Sequence, residues 1–169
     1  MFTIIIAAML LPFQVFIVPL FIIVNKLRLS NSAAGVIVPA LVAPFGVFLL
    51  KQYIQSLPDD IVEAAKIDGS HELHTFAMII LPLSLPAVGV LAIFNFISGW
   101  NDYMWQLIVL TDRDRWTMPL ALAGMVSKYH SNVGYQLAGS VLATLPMIIV
   151  FLLLQKSLIR GITMGAVKG

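Results

Sequence analysis

Cysteine is absent from the sequence. That excludes disulfides, thiol nucleophiles and cysteine-ligated metals, and says little about compartment, because helices packed in lipid need no disulfides. Charge is scarce as well. Only 11% of the 169 residues are Asp, Glu, Lys or Arg, against about 25% in soluble domains. The net charge of +2 is not clustered, so the basic footprint of a nucleic-acid binder is missing. No G-x-x-x-x-G-K-[ST] run occurs, so the chain has no phosphate-cradling loop with which to hydrolyse ATP by itself. His71 and His74 lie three apart on a polar stretch without converging ligands, which reads as a solvated pair rather than a metal site. Met1 opens directly into an apolar run, without the positive lead or small-residue cleavage site of a signal peptide.

What is present is hydrophobic: 60% of the residues, with a mean hydropathy of +0.97. One soluble core of this size cannot hide so much apolar surface, so lipid is the solvent for most of the chain. Four stretches suffice to cross a bilayer: Met1 to about Val24, Ser32 to Leu50, Leu81 to Trp100 with an apolar continuation from Tyr103 to Leu110, and Tyr135 to Leu154. None alternates like a barrel strand, so the expected fold class is an all-α integral membrane bundle with four transmembrane helices. Prolines recur inside these spans, at Pro12, Pro19, Pro39, Pro44, Pro86 and Pro146. Each removes a backbone donor and tends to kink its helix.

The connections differ in character. Lys26 to Asn31 is short. Gln52 to Ile80 is polar and holds five of the eight acidic residues, Asp59, Asp60, Glu63, Asp68 and Glu72. Thr111 to Gly134 carries the run Asp112-Arg113-Asp114-Arg115 and a polar turn at His130-Ser131-Asn132. Basic residues should set the orientation, but Lys51, Lys66, Lys156, Arg160 and Lys168 balance Lys26, Arg28, Arg113, Arg115 and Lys128, five against five. Charge alone leaves the topology open.

Residues 57–82 carry the most information. Leu57-Pro58-Asp59-Asp60 opens a short helix, with Pro58 in the first turn and two carboxylates at the positive end of the helix dipole. Ile61, Ala64, Ala65 and Asp68 fall at i, i+3, i+4 and i+7, a small-residue face. Gly69 stops the helix where a positive φ is commonly needed. Ser70 is expected to cap a second helix through Leu73, Phe76 and Ile79 to Pro82. The physics of these residues fits either a solvated amphipathic connection or a face made for close approach of another protein.

Glu63-Ala64-Ala65, Asp68-Gly69, Phe76 and Leu81-Pro82 resemble the EAA loop of binding-protein-dependent ABC importer permeases. Further matches to the carbohydrate-uptake branch run along nearly the whole chain. Leu11-Pro12 to Pro19-Leu20 resembles an early span, Phe48-Leu49-Leu50-Lys51-Gln52 and Leu57-Pro58 the approach to the loop, and Phe96 with Gly99-Trp100-Asn101-Asp102 the W-N-D element. Pro146, Phe151 to Gln155, and Gly161-Ile162-Thr163 to Gly169 resemble the C-terminal end. Family members usually have six spans, so the resemblance implies that residues 1–169 form part of a six-span type I importer permease, with the first two spans absent.

The resemblance also implies partners and roles. Residues 57–82 are the cytoplasmic coupling loop, helix-turn-helix in form, that docks on an ATP-binding subunit dimer. Glu63 is the polar anchor, Ala64 and Ala65 the close-packing residues, and Asp68 with Gly69 the turn. ATP and Mg²⁺ belong to that partner, and this chain binds no cofactor. A second, non-identical permease subunit and an extracytoplasmic solute-binding protein complete the complex in the cell membrane, with the C-terminus cytoplasmic and the tail from Gly165 to Gly169 close to the ATPases. Trp100, Asn101 and Asp102 are candidate substrate-pathway residues, since rings stack on sugars and polar groups bond hydroxyls. An interfacial aromatic belt with structural polar contacts explains the same residues. The expected function is a permease for a sugar or related solute. The alternatives are a permease of the same superfamily for another solute, such as a phosphorylated polyol or peptide, or a membrane scaffold that moves nothing. Secondary transport is disfavoured by the scarcity of ionisable residues in the spans.

Overall fold

The computed structural model describes residues 2–125 and 133–166, with side chains to residue 155. The His130-Ser131-Asn132 turn and the end of the tail, residues 167–169, lie outside the described residues. All regular structure among the described residues is helical: α1 (Phe2–Leu10), α2 (Gln14–Lys26), α3 (Ala33–Ala40), α4 (Pro44–Ile54), α5 (Asp59–Ile67), α6 (Glu72–Thr75), a π turn (Phe76–Ile80), α7 (Leu81–Leu83), α8 (Leu85–Asn101), α9 (Met104–Val109), a 3₁₀ turn (Arg113–Arg115), α10 (Met118–Gly124) and α11 (Val133–Ala166).

Prolines and caps set the boundaries. α1 and α2 meet at a bend of 111°. Pro12 has no N–H to give and disfavours helical backbone at the residue before it, so the ladder breaks there. Ser32 caps α3, its hydroxyl accepting from the Gly35 N–H at 3.1 Å. Pro44 starts α4 as a first-turn proline, and α3 and α4 together form a nearly continuous helix over Ala33–Ile54. A second bend, of 69°, separates Glu72–Leu83 from α8. It falls at buried Ser84 between Pro82 and Pro86.

Two helices, Ala33–Ile54 and Val133–Gln155, are long and apolar enough to cross a membrane, or up to four spans if each bent pair counts as one. The stretch from Met1 to Val24, expected as one span with prolines inside it, is two helices that meet at the 111° bend. The expected continuation from Tyr103 to Leu110 is a separate short helix, because Asp102 adopts an extended backbone (φ −65°, ψ 121°) that ends α8.

The packing is spread along the helices rather than gathered in a globular core. α8 lies along α11, and α4 packs between α1 and α8. Gly46 lets α4 approach α8 closely, since a Cβ there would sit 3.2 Å from Leu91 Cδ1. Phe45 and Phe94 meet edge to face at 5.6 Å nearby. Phe2 stacks on Phe48 with centroids 6.2 Å apart, and Lys51 Nζ lies 3.5 Å from the Phe2 ring centroid. A buried cluster joins α2 and α9 through Val24, Trp105 and Val109, flanked by Leu20, Phe21, Leu29 and Val36. Outside it, most large apolar side chains are exposed, and none of the most apolar window of Val133–Gln155 is buried. That pattern suits lipid or another apolar subunit as the surrounding medium.

Candidate coupling loop and a polar node between helices

The 57–82 segment folds as a helix, a glycine turn and a second helical stretch. Pro58 is the N-cap of α5 (φ −60°, ψ 131°), one residue before the first turn. Asp59 and Asp60 follow in the first turn and Lys66 in the last, each at the favourable end of the dipole. The C-terminus closes as a Schellman motif: Gly69 N–H donates to Lys66 O at 3.0 Å and Ser70 N–H to Ala65 O at 2.9 Å. Gly69 holds φ +75° while no atom lies within 4 Å of a Cβ built there. Backbone conformation, not space, is what calls for glycine at this turn.

Two sequence expectations need correction here. Ser70 does not cap the second helix. His71 does, its Nδ1 accepting from Leu73 N–H at 3.3 Å, while Ser70 Oγ accepts from buried Thr75 Oγ1 at 2.9 Å. The second stretch is also not one α-helix, because it widens to a π turn over Phe76–Ile80 before Pro82. Pro82 offers no N–H for the ladder, and the wider turn accommodates the loss.

The expected small-residue face is split. Ala65 is 5% exposed and Ile61 and Val62 are half-buried, whereas Glu63, Ala64 and Asp68 face outward. At 3.6 residues per turn the arc that packs inward centres on Ile61, Val62 and Ala65, and the i+3 and i+7 positions swing to its edge. Glu63 makes no hydrogen bond or ion pair among the described residues. Beside it stands Ile67, 86% exposed, which the composition of the helix does not single out. The signal available was its i+4 spacing from Glu63. Leu73 and Met78 add further exposed apolar surface, at 73% and 66%. A cleft of about 220 Å³ runs between α5 and the second stretch, bounded by Val62, Lys66, Thr75 and Phe76.

The other candidate residues sit where α8, α9 and α11 meet. Trp100 Nε1 donates to Ala143 O at 2.9 Å. Asn101 Nδ2 donates to Ile97 O at 2.9 Å and reaches Met147 Sδ at 3.6 Å. Both residues thus tie α8 to α11. Asp102 Oδ1 accepts from the Trp105 N–H at 3.3 Å, starting α9. Buried Gln106 donates from Nε2 to Gly99 O at 3.1 Å and accepts from Thr117 Oγ1. Trp105, one of the aromatics that the sequence places with Trp100 toward the end of this span, and Gln106, which it does not single out, are the buried members of this node.

A third polar cluster surrounds Asn31, in a left-handed conformation at φ 54°. Its Oδ1 accepts from Thr111 N–H at 3.2 Å and Asp112 N–H at 3.1 Å, and its N–H donates to Val109 O at 2.8 Å. Arg115 Nη1 donates to Asn31 O at 2.5 Å. The helix Ala33–Ile54 separates this cluster from the 57–82 loop.

Residues 1–164 match the family model described as binding-protein-dependent transport system inner membrane component. The chain belongs to this family. It is 39% identical over 168 residues to the arabinooligosaccharides transport system permease protein AraQ of Halalkalibacterium halodurans, and 40% identical over 168 residues to AraQ of Bacillus subtilis. Each match covers 99% of this chain and 60% of the relative. The sn-glycerol-3-phosphate transport system permease protein UgpE of Salmonella typhi is 32% identical over 163 residues, covering 95% of this chain and 58% of that one. The chain thus spans about 60% of the length of these curated relatives. Among solved structures, a bacterial ABC transporter involved in the import of the acidic polysaccharide alginate superposes with a TM-score of 0.69 at 23% identity, over 82% of this chain and 55% of that one. The inner-membrane permease fold is therefore this chain's fold. A membrane component of a transport system, rather than a catalytic subunit, is what the family describes.

Proposed function

We propose that this chain forms part of a permease subunit of an ATP-driven importer, lining half of the translocation path for a sugar or small oligosaccharide. The observation that carries this reading is the identity of 39% and 40% to two permeases named for arabinooligosaccharides, extending over 99% of the chain. The weaker match to UgpE, 32%, makes a phosphorylated polyol the second choice of solute.

In this reading the protein has four spans, formed by α1–α2, by α3–α4, by α8 and by α11, and residues 57–82 lie in the cytoplasm. Glu63, Ala64, Asp68 and Ile67 form the surface that meets the ATPase, and Ala65 and Gly69 hold that surface at its angle. Three features support it: a carboxylate without a partner among the described residues, an exposed isoleucine one turn away, and a turn closed by its own hydrogen bonds. Glu63 pairs with a basic group on the ATPase, and Ala64 lets the two backbones approach. ATP and Mg²⁺ bind to that ATPase dimer, whose closure pulls on α5. The π turn and the Ser84 bend pass the displacement to α8. A second, non-identical permease and an extracytoplasmic binding protein complete the complex.

The test is uptake of labelled arabinotriose and glycerol 3-phosphate by proteoliposomes holding the full-length permease with its ATPase, partner permease and binding protein. ATP-dependent accumulation of arabinotriose is expected. Accumulation of glycerol 3-phosphate alone, or of neither, would reject the sugar reading.

A further inference from the structure

Trp100 and Asn101 are occupied in binding α11, which leaves open which groups of α8 meet a solute. Asn95 and Ser98 fall at i and i+3 on one face of this helix, and both are exposed. Neither side chain makes a hydrogen bond among the described residues. Gly99 shares the face, and nothing lies within 4 Å of a Cβ built there. The face is thus a polar strip with an open notch, in a helix that is apolar from Leu85 to Phe94. An amide turned into lipid with its donors unmet costs several kcal/mol, so Asn95 belongs against water or a hydrogen-bonding guest. Polar groups of this kind inside a span mark solute paths.

We infer that Asn95 and Ser98 line the solute path and bond the hydroxyl groups of the passing sugar. This rests on the importer reading above and replaces Trp100 and Asn101 as the solute-contacting groups of α8. An amide offers two donors and an acceptor, and a serine hydroxyl offers both roles, which matches vicinal hydroxyls that also donate and accept. Trp100 and Asn101 are positioning residues that set the rotation of α8 against α11 and so aim Asn95 and Ser98.

Residues 1–169 contain no cysteine, so single cysteines introduced here report on the path once any cysteine elsewhere in the complete transporter is replaced by serine. In the complete, full-length transporter, Asn95→Cys and Ser98→Cys should react about tenfold faster with a charged methanethiosulfonate than Ile97→Cys on the other side of the helix, because thiol reactivity follows water access. Arabinotriose should slow the labelling. Asn95→Leu should raise the KM for arabinotriose uptake by about tenfold, with the complex assembling in normal yield and Asn95→Gln partly restoring uptake. Equal labelling at positions 95 and 97, unchanged uptake in Asn95→Leu, or loss of subunit assembly in that variant would each overturn the inference. Fast labelling at Asn95→Cys in a wild-type background that moves no arabinotriose would instead sink the sugar reading and leave the water-lined face standing.

Discussion

The indole Nε1 of Trp105 donates a 3.1 Å hydrogen bond to the backbone carbonyl of Gly35, seventy residues away along the chain. The contact joins the start of α3 to α9, beside the Val24–Val109 cluster. It is possible only because Gly35 has no side chain: a Cβ there would lie 2.2 Å from Leu29 O and 3.0 Å from Val109 Cγ1.

Gly35→Ala should therefore destabilise the bundle by about 1–3 kcal/mol through overpacking. Trp105→Phe should cost about 1 kcal/mol for the lost hydrogen bond, plus the orphaned carbonyl. Thermal unfolding of the detergent-solubilised full-length protein would measure both. A Gly35→Ala variant as stable as the parent would show that α3 can move away from Leu29 without penalty.

Asn31 holds the loop before α3 to the 109–115 segment through side chain and backbone together. Asn31→Gly keeps the left-handed backbone and removes only the side-chain bonds, whereas Asn31→Ala also strains φ. Trypsin should cleave after Arg113 or Arg115 faster in both, and faster in Ala than in Gly. Equal cleavage rates in the two variants would assign the whole effect to the amide.

Glu63→Ala should weaken the ATPase–permease complex by about 2 kcal/mol, about thirtyfold in Kd, if its carboxylate becomes desolvated against a basic partner group. Glu63→Gln should recover a part of this through its remaining hydrogen-bonding capacity. Co-purification and solute-stimulated ATP turnover measure the effect. Unchanged turnover in Glu63→Ala would remove this residue from the interface.

Ile67 is so exposed that Ile67→Asp should leave the fold intact while cutting ATPase binding by about tenfold, through loss of its apolar burial in the complex. Unaltered thermal stability together with weakened co-purification is the expected pair of results. Full binding by Ile67→Asp would place the docking surface on another side of α5.

At Gly69 the two informative substitutions differ in mechanism. Alanine at φ +75° meets no atom, so Gly69→Ala should cost about 1–2 kcal/mol of local strain and lower coupling modestly. Proline cannot reach a positive φ, so Gly69→Pro should abolish coupling of ATP turnover to transport while the spans still insert. Normal coupling in the proline variant would show that the angle of α5 is set elsewhere.

Much of this was legible in the residues. Apolar length announces a membrane helix, because lipid demands it of every position alike. Pro58, the acidic first turn and Gly69 announce a short helix with a left-handed stop, because each acts through its own backbone. The faces were less legible. Ala64 and Ala65 are adjacent and chemically identical, yet one is exposed and the other buried, a difference set by which side of α5 meets its neighbours. The bend at Pro12 and the π turn before Pro82 were equally hidden, since a proline says that the ladder is interrupted and not by how much the axis turns.

The sequence by itself therefore determined the medium, the helical class and the place of the glycine turn after α5, all properties of local composition and backbone preference. Only the tertiary structure decided which polar groups are free. Trp100 donates to Ala143 of α11, Asn101 donates to Ile97 within α8 and reaches Met147 of α11, Asp102 starts α9 and Gln106 bonds Gly99 and Thr117, while Glu63, Asn95 and Ser98 make no side-chain hydrogen bond among the described residues. A side chain's availability depends on partners distant in the chain, and that distance is closed by packing.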